Sequence, residues 1–194
     1  MKKALIGFLV AGICFQAVPP AEPAGNGPPK KGETLPVFNL TVPKNPAHRD
    51  YLGLSAGDTF TIPKIRASVV IVEIFSMYCP YCQREAPRVN NLYEKIVDNP
   101  KLRDKIKLIG IGAGNSSFEV GIFRKRYNIP FPLFPDEDFS IHKCIGEVRT
   151  PYFIVIKVHS DGSHKVIYSE LGGLKDVDHF VQLIIDLSGL KKEG

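Results

Sequence analysis

The stretch from residue 69 to residue 82, VVIVEIFSMYCPYC, constrains the fold more than any other part of this chain. It begins with an apolar, β-branched run, Val69–Phe75, which only Glu73 interrupts. Such a run, bounded by turn-forming residues, predicts a strand that is buried on both faces of a sheet. The tetrapeptide CPYC follows, and its Pro80 suits the first position of a helix, where no backbone N–H is needed. The stretch therefore predicts a buried strand, a tight turn and a helix that begins beside a cysteine.

The two cysteines of this tetrapeptide are placed for redox chemistry. Cys79 lies at the mouth of the predicted helix, where unpaired amides and the positive end of the helix dipole lower the pKa of a thiol. Cys82, three residues later, lies on the same helix face. Two cysteines at this separation can form a disulfide. The pair is therefore interpreted as a dithiol that opens and closes, with Cys79 as the nucleophile.

Two further features carry a resemblance to a known family. Glu73 lies in the buried strand, six residues before Cys79. Far along the chain, Thr150-Pro151 immediately precedes a second apolar run, Tyr152–Val158. Together with the CxxC motif between a strand and a helix, these residues resemble the active site of the thioredoxin superfamily, in which a cis-proline faces the dithiol.

The resemblance covers roughly Thr34 to Leu187 and implies an α/β, thioredoxin-like fold. In that fold a central mixed β-sheet is flanked by helices, here with an N-terminal β-hairpin addition and a central insert. Exported oxidoreductases of the TlpA/ResA type are the branch that this chain resembles most. Two residue choices depart from that branch: Tyr78 stands where tryptophan is usual, and Cys-Pro-Tyr-Cys is the filling associated with glutaredoxins.

The resemblance also implies a role for each site residue. Cys79 attacks a substrate disulfide, and Cys82 resolves the mixed disulfide that results. Glu73 accepts the proton of Cys82, because burial raises a carboxyl pKa towards the range of a working general base. The residues expected to contact the substrate are Thr150, Pro151, Tyr78, Pro80 and Tyr81.

The implied function is an exported thiol–disulfide oxidoreductase that reduces or exchanges the disulfides of partner proteins, with cytochrome c maturation as one setting. Its partners are protein disulfides and a membrane or periplasmic electron donor. The expected redox centre is the Cys79–Cys82 disulfide, with no other cofactor and no metal.

Two other functions stay open at this point. A peroxiredoxin-like thiol peroxidase is suggested by Ser76, three residues before Cys79, and by Arg149 as an active-site arginine, although Val72 stands where a proline is expected. A copper-binding metallochaperone would use the dithiol itself, but copper carriers of the Sco type have a CxxxC spacing.

The remaining cysteine and histidines have simpler interpretations. Cys144 is expected to be a small buried apolar side chain, with a second resolving thiol or a metal ligand beside His142 as alternatives. His48 is expected on the surface of a loop over Asn45–Tyr51.

Composition agrees with one globular domain. The chain has 194 residues, 44% of them apolar, and a net charge of +5. That length allows a single sizeable core. Its basic residues are scattered among acidic ones, which predicts no nucleic-acid partner.

The N-terminus predicts export. Two lysines and an apolar run over 1–17 suit a signal peptide or an N-terminal membrane anchor. Cys14 invites lipidation, but the preceding Ile13 is bulky where lipoprotein cleavage requires a small residue. The Pro- and Gly-rich residues 18–32 predict a linker with almost nothing to bury, which leaves 33–190 as the thioredoxin-like domain.

The other elements follow from periodicity. Strands are predicted at Leu35–Leu40, Asp58–Ile62, Ile106–Ile111 and His164–Tyr168, and a short extended segment at Phe131–Asp136. Helices are predicted after Cys82, from Ser116 or Ser117 to Tyr127, over Asp138–Ile145, and from Val177 onwards. In the second of these helices, Phe118, Ile122 and Phe123 are expected to point inward.

Overall fold

The computed structural model of this protein describes residues 27–190. Within these residues there are seven strands and five α-helices, with a short 3-10 helix at Ile62–Lys64. In chain order these are β1 Leu40–Thr41, α1 Pro46–Leu52, β2 Thr59–Phe60, β3 Val69–Phe75, α2 Pro80–Val97, β4 Ile106–Ala113, α3 Ser117–Tyr127, β5 Leu133–Asp136, α4 Ser140–Cys144, β6 Tyr152–Val158, β7 His164–Leu171 and α5 Val177–Ser188.

A five-stranded mixed sheet with the order β5-β4-β3-β6-β7 forms the centre of the fold. Strands β3, β4 and β5 run parallel, whereas β6 is antiparallel to both β3 and β7. Because β6 runs against β3, the start of β6 lies beside the end of β3, with Tyr152 opposite Ile74. The sheet thus brings the Thr150-Pro151 segment to the edge where α2 begins.

The sheet divides the interior into two apolar layers. Ile71 and Phe75 of β3 face a layer that contains Cys82 and the buried side of α2 and α5. Val70, Val72 and Ile74 face the opposite layer, beneath α1, β1, β2 and α4. All seven residues of β3 are buried. Burial of each of its aliphatic side chains contributes about 1.5–3 kcal/mol to the stability of the fold. The predicted two-sided central strand is confirmed.

The segment Asn45–Tyr51 is mostly helix, so its interpretation as a loop was wrong. The Asn45 side chain accepts a hydrogen bond from the Ala47 N–H at 2.9 Å, and Pro46 occupies the first helical position. Gly53 ends the helix in the left-handed conformation, with φ of 64°. His48 is half-buried, and a ring nitrogen lies 3.1 Å from the Arg124 guanidinium. The histidine therefore packs between elements instead of standing free on the surface.

Helix α3 turns a different face inward from the one predicted. Ser116 and Glu119 form a capping box at its start. Val120 and Phe123 are buried, whereas Phe118 is 76% exposed and Ile122 39% exposed. The predicted inward positions of Phe118 and Ile122 were therefore wrong, and only Phe123 points as expected.

The N-terminal part of the described chain lies against the domain. The predicted hairpin addition is present, but β1 and β2 have only two residues each. Within the predicted linker, Pro29 is buried, and the Gly32 N–H donates to the Val166 carbonyl at 2.8 Å. Pro29 and the Gly32 backbone thus contact the domain, whereas Lys30, Lys31 and Gly32 are exposed. The predicted signal peptide or anchor, Cys14 and residues 18–26 lie outside the described residues.

Within residues 27–190, no helix has both the length and the apolar character that a membrane crossing requires.

Candidate active site

The turn between β3 and α2 presents Cys79 at the start of the helix. Cys79 is the N-cap residue of α2, Pro80 follows it in the first turn, and the Cys79 N–H donates to the Ser76 carbonyl at 3.0 Å. The Cys79 carbonyl already accepts from the Gln83 N–H at 3.1 Å. As predicted, the first cysteine lies at the helix mouth, and it is half-buried.

Asn115, which the sequence did not single out, holds this turn in place. Its side chain is fully buried. The Asn115 Oδ1 accepts from the Met77 N–H at 2.8 Å, and its Nδ2 donates to the Gly114 carbonyl at 3.1 Å. From the other side, the Gln83 amide donates to the Met77 carbonyl at 2.8 Å. The turn before the nucleophile is therefore fixed through both backbone groups of Met77.

The Cys79 thiol faces the segment that precedes β6. Its Sγ lies 3.3 Å from the Thr150 carbonyl, and the Thr150–Pro151 peptide bond is cis, as expected. Partial burial raises the pKa of Cys79, but hydrogen bonds involving Thr150, Cys82 and the Tyr81 backbone outweigh it and lower the pKa overall. The nucleophile position is therefore partly accessible and favours the thiolate.

Cys82 lies in the opposite environment. It is fully buried, whereas Cys79 is half-buried. Burial raises the pKa of Cys82 strongly, and the nearby Glu73 carboxylate raises it further. A thiol in such a site gives up its proton only to a base that is already inside the protein.

Glu73 is the candidate for that internal base. Its side chain is 3% exposed, on the same face of β3 as Ile71 and Phe75, within the layer that contains Cys82. Burial raises the pKa of Glu73 to about 8, with a smaller contribution from the negative charge of Glu85. No described residue forms a hydrogen bond or an ion pair with its carboxyl group. The structure thus places an acid with a near-neutral pKa beside the buried cysteine.

Glu85 is a second buried acid, one turn into α2, that the sequence did not reveal. It is 5% exposed, and it accepts from the Leu174 N–H at 2.6 Å and from the Arg88 guanidinium at 3.3 Å. Its carboxylate rests against Gly173, where any side chain would collide with it. Glu85 therefore ties the active-site helix to the loop before α5.

The aromatic residues of the motif form the outer surface of the site. Tyr78 and Tyr81 are 65% and 66% exposed, and Pro80 is exposed between them. The Tyr78 hydroxyl donates to Glu119, and the Arg84 guanidinium lies over the Tyr81 ring at 4.5 Å. Both tyrosines line a cavity of about 430 Å³ that also contains Cys79 and Thr150. Tyr78, Tyr81 and Thr150 thus line the same cavity as the nucleophile. Pro80 follows Cys79 in the helix, and Pro151 lines a neighbouring cavity.

Cys144 is half-buried, which is less than the buried position that was expected. Its Sγ lies 4.0 Å from the Val37 carbonyl, and the nearby His142 ring lies 2.7 Å from the Val148 carbonyl. Among residues 27–190, no three His, Cys, Asp or Glu side chains cluster in a way that could hold a metal ion.

Alkylation should rank the three described cysteines. In the reduced protein near pH 7, iodoacetamide is expected to label Cys79 faster than Cys144, since a lower pKa gives a larger fraction of reactive thiolate. The pKa is lowered at Cys79 and raised at the half-buried Cys144. Cys82 should react slowest because it is buried. Mass spectrometry of each cysteine peptide against time measures the three rates, and faster labelling of Cys144 would contradict this ranking.

Fold and site together define the class of this protein: it is a thioredoxin-like thiol–disulfide oxidoreductase with a CxxC dithiol. The Redoxin family model matches residues 30–184. The chain therefore belongs to the Redoxin family.

Named relatives agree with that class. The thiol-disulfide oxidoreductase ResA of Halalkalibacterium halodurans is 24% identical over 130 residues, which cover 66% of this chain and 69% of the relative. ResA of Bacillus thuringiensis is 26% identical over 101 residues, which cover 52% of this chain and 55% of the relative. The chain thus spans between about half and two thirds of these relatives.

Solved structures show the same fold. A Chlorobium tepidum structure assigned as a thiol:disulfide interchange protein DsbE superposes with a TM-score of 0.61 at 17% identity, covering 83% of this chain and 99% of that one. A secreted Mycobacterium tuberculosis disulfide oxidoreductase homologous to DsbE gives 0.53 at 17% identity, covering 77% and 95%.

Proposed function

We propose that this protein reduces disulfide bonds of partner proteins outside the cytoplasmic membrane. One observation carries the proposal: Glu73, a buried acid, lies beside the buried Cys82, beneath a Cys79 that a substrate can reach. A reductant that works by two-step exchange needs a reactive first thiol and a second thiol that ionises only once the mixed disulfide has formed. The described residues supply both, with an internal proton acceptor for the second.

The reaction conserves atoms and electrons as follows. The Cys79 thiolate attacks one sulfur of the substrate disulfide, and the other sulfur leaves as a thiolate. Glu73 in its ionised form, which a pKa of about 8 leaves partly populated near neutral pH, then takes the proton of Cys82 and later passes it to a released substrate thiolate. The Cys82 thiolate attacks the Cys79 sulfur. The second substrate thiolate leaves, the Cys79–Cys82 disulfide forms, and two electrons have passed to the substrate. A donor dithiol must reduce the pair again before the next turnover.

The cellular setting rests on the predicted export signal and on the relatives. The charged and apolar residues 1–17 favour transport across the cytoplasmic membrane or anchoring in it. One structural neighbour is described as secreted. We infer a membrane or periplasmic electron donor and protein disulfide substrates, with cytochrome c maturation as one setting.

A thiol peroxidase is the alternative with a structural observation behind it. Ser76 and Arg149 line the same cavity as Cys79, so an arginine is present near the nucleophile. A copper carrier is the other alternative, since the reduced dithiol could bind copper(I).

Three assays on one preparation separate these functions. With dithiothreitol as donor, the protein should accelerate reduction of insulin disulfides, and the Cys79–Cys82 pair should have a reduction potential below about −200 mV, as reducing members of the class do. Hydrogen peroxide consumption and copper(I) binding are measured in parallel. A Cys144→Ser variant serves as the control and should match the wild type. Rapid peroxide turnover with no insulin reduction would favour the peroxidase instead.

A further inference from the structure

Two cavities meet beside the nucleophile. The first, the aromatic cavity, has a volume of about 430 Å³ and is lined by Cys79, Tyr78, Tyr81 and Phe139. The second, the arginine cavity, has a volume of about 350 Å³ and is lined by Arg84, Arg88 and Arg149 together with Thr150 and Pro151. Tyr81, Arg149 and Thr150 line both. A chain that crosses this shared boundary enters one cavity on each side.

The arginine cavity carries uncompensated positive charge. Glu85 is the acid among its lining residues, and it is already engaged with Arg88 at 3.3 Å and with the Leu174 N–H at 2.6 Å. Arg84 and Arg149 are exposed and form no ion pair with any described residue. Arg84 is held over the Tyr81 ring at 4.5 Å, which orders it without neutralising it. Two guanidinium groups are thus available to a ligand.

Guanidinium groups select for carboxylates. The planar fork of arginine matches the two oxygens of a carboxylate, and a partly enclosed site weakens the screening that makes fully exposed pairs ineffective. An acidic side chain entering this cavity would meet Arg84 and Arg149 without displacing Arg88 from Glu85. A basic side chain would meet only repulsion.

The position of Cys79 decides which substrate residue enters. A substrate sulfur must approach Cys79 in the aromatic cavity, within reach of the Thr150 carbonyl 3.3 Å away. Side chains alternate along an extended peptide, so a neighbour one or two residues from that sulfur can cross into the arginine cavity. We propose that the arginine cavity is a specificity site for an acidic residue within two positions of the substrate cysteine. This proposal rests on the exchange function proposed above.

Matched peptides test the proposal on the full-length reduced protein. Each peptide has one cysteine, activated as a 2-pyridyl disulfide. The two positions before this cysteine and the two positions after it carry Asp, Asn or Lys in turn. Stopped-flow release of thiopyridone gives the second-order rate constant. On at least one side of the cysteine, the Asp peptide should react about threefold to tenfold faster than the Lys peptide, as one or two partly exposed ion pairs allow. Added salt should reduce that ratio.

Charge-reversal variants distinguish recognition in the arginine cavity from long-range electrostatic attraction to the whole protein. Arg149→Glu should invert the order, so that the Lys peptide becomes the fastest, and Arg84→Glu provides a second variant should the first fold poorly. The matched control is Arg103→Glu, which makes the same change in net charge before β4, at the opposite edge of the sheet from the dithiol. Its peptide order should stay that of the wild type.

Two results would overturn the proposal. Equal rates for the Asp, Asn and Lys peptides in the wild type would remove the specificity site while leaving exchange intact. If Arg149→Glu, Arg84→Glu and Arg103→Glu change the ratio of the Asp and Lys peptide rates equally, the preference comes from long-range electrostatic attraction and not from the arginine cavity. Absence of reaction with every peptide is a different outcome, because it would refute the exchange function itself.

Discussion

Cys79→Ser is expected to abolish disulfide exchange, whereas Cys82→Ser should leave the first attack intact and stop the cycle at the mixed disulfide. The reason is the division of the two thiols: Cys79 is half-buried with a lowered pKa, and Cys82 is fully buried with a raised one. Serine at position 79 supplies no thiolate to attack, and serine at position 82 supplies none to resolve. Turnover should fall by at least about a thousandfold in both variants, because exchange depends on the thiolate.

The two variants differ in what accumulates. Cys82→Ser, incubated with a protein disulfide, should give a covalent adduct through Cys79 that mass spectrometry detects and dithiothreitol releases. Cys79→Ser should give no such adduct. Both are best made in a Cys144→Ser background so that the half-buried third thiol cannot resolve the adduct. An adduct through Cys82 in the Cys79→Ser variant would show that the second thiol is reachable, and the assignment of roles would be wrong.

Glu73→Gln should stabilise the fold at high pH. Burial raises the pKa of Glu73 from 4.5 to about 8, so between these two pH values the carboxyl is mostly protonated in the folded protein but ionised in the unfolded chain. Between these two values the unfolded chain binds fewer protons, and the wild-type free energy of unfolding falls as pH rises. Glutamine carries no such penalty. The variant should gain on the order of 3–5 kcal/mol at about pH 9 and little below about pH 4.

The same variant should slow resolution of the mixed disulfide by roughly a hundredfold, since a positioned general base contributes about that much or more. Denaturant titrations of the reduced proteins between pH 4 and 9 measure the first effect, and stopped-flow exchange measures the second. Glu73→Asp is the matched control: it keeps the acid and should retain part of the rate. A glutamine variant that is less stable than the wild type and exchanges at the wild-type rate would identify Glu73 as structural.

The catalytic centre could be predicted from sequence because its signals are local. Strand β3, the turn and the start of α2 occupy one continuous stretch, and the apolar pattern on both faces of β3 leaves only a central position in the sheet. Helix α2 buries Ala86, Val89 and Leu92 at the expected helical spacing. Thr150-Pro151 lay far off in sequence, and only the family resemblance connected it with the dithiol.

Other elements could not be predicted because their signals were ambiguous or absent. Helix α1 buries only Leu52, so the segment shows no apolar periodicity, and its cap and Gly53 were the available clues. Helix α3 has apolar residues on two faces, and tertiary packing buries Val120 while Phe118 and Ile122 stay exposed. No local rule distinguishes two apolar faces of one helix.

Asn115 and Glu85 escaped detection for a different reason. Asn115 acts on Met77, and Glu85 acts on Leu174, so each contact joins segments that are far apart in the chain. In sequence, Asn115 has the appearance of a loop residue and Glu85 that of an ordinary polar position on a helix. Only the closed fold shows that both are buried and that each holds one side of the site.

The contact between Glu85 and Gly173 has an evolutionary consequence. The carboxylate occupies the space that a side chain at position 173 would need, while it bonds the next residue, Leu174. A mutation that adds a side chain at 173 would push the acid off its amide, and a mutation that shortens position 85 would leave that amide buried and unpaired. Each change is harmful alone, and a small residue at 85 makes room for a side chain at 173. Positions 85 and 173 should therefore co-vary, so that natural variation at one is accompanied by variation at the other.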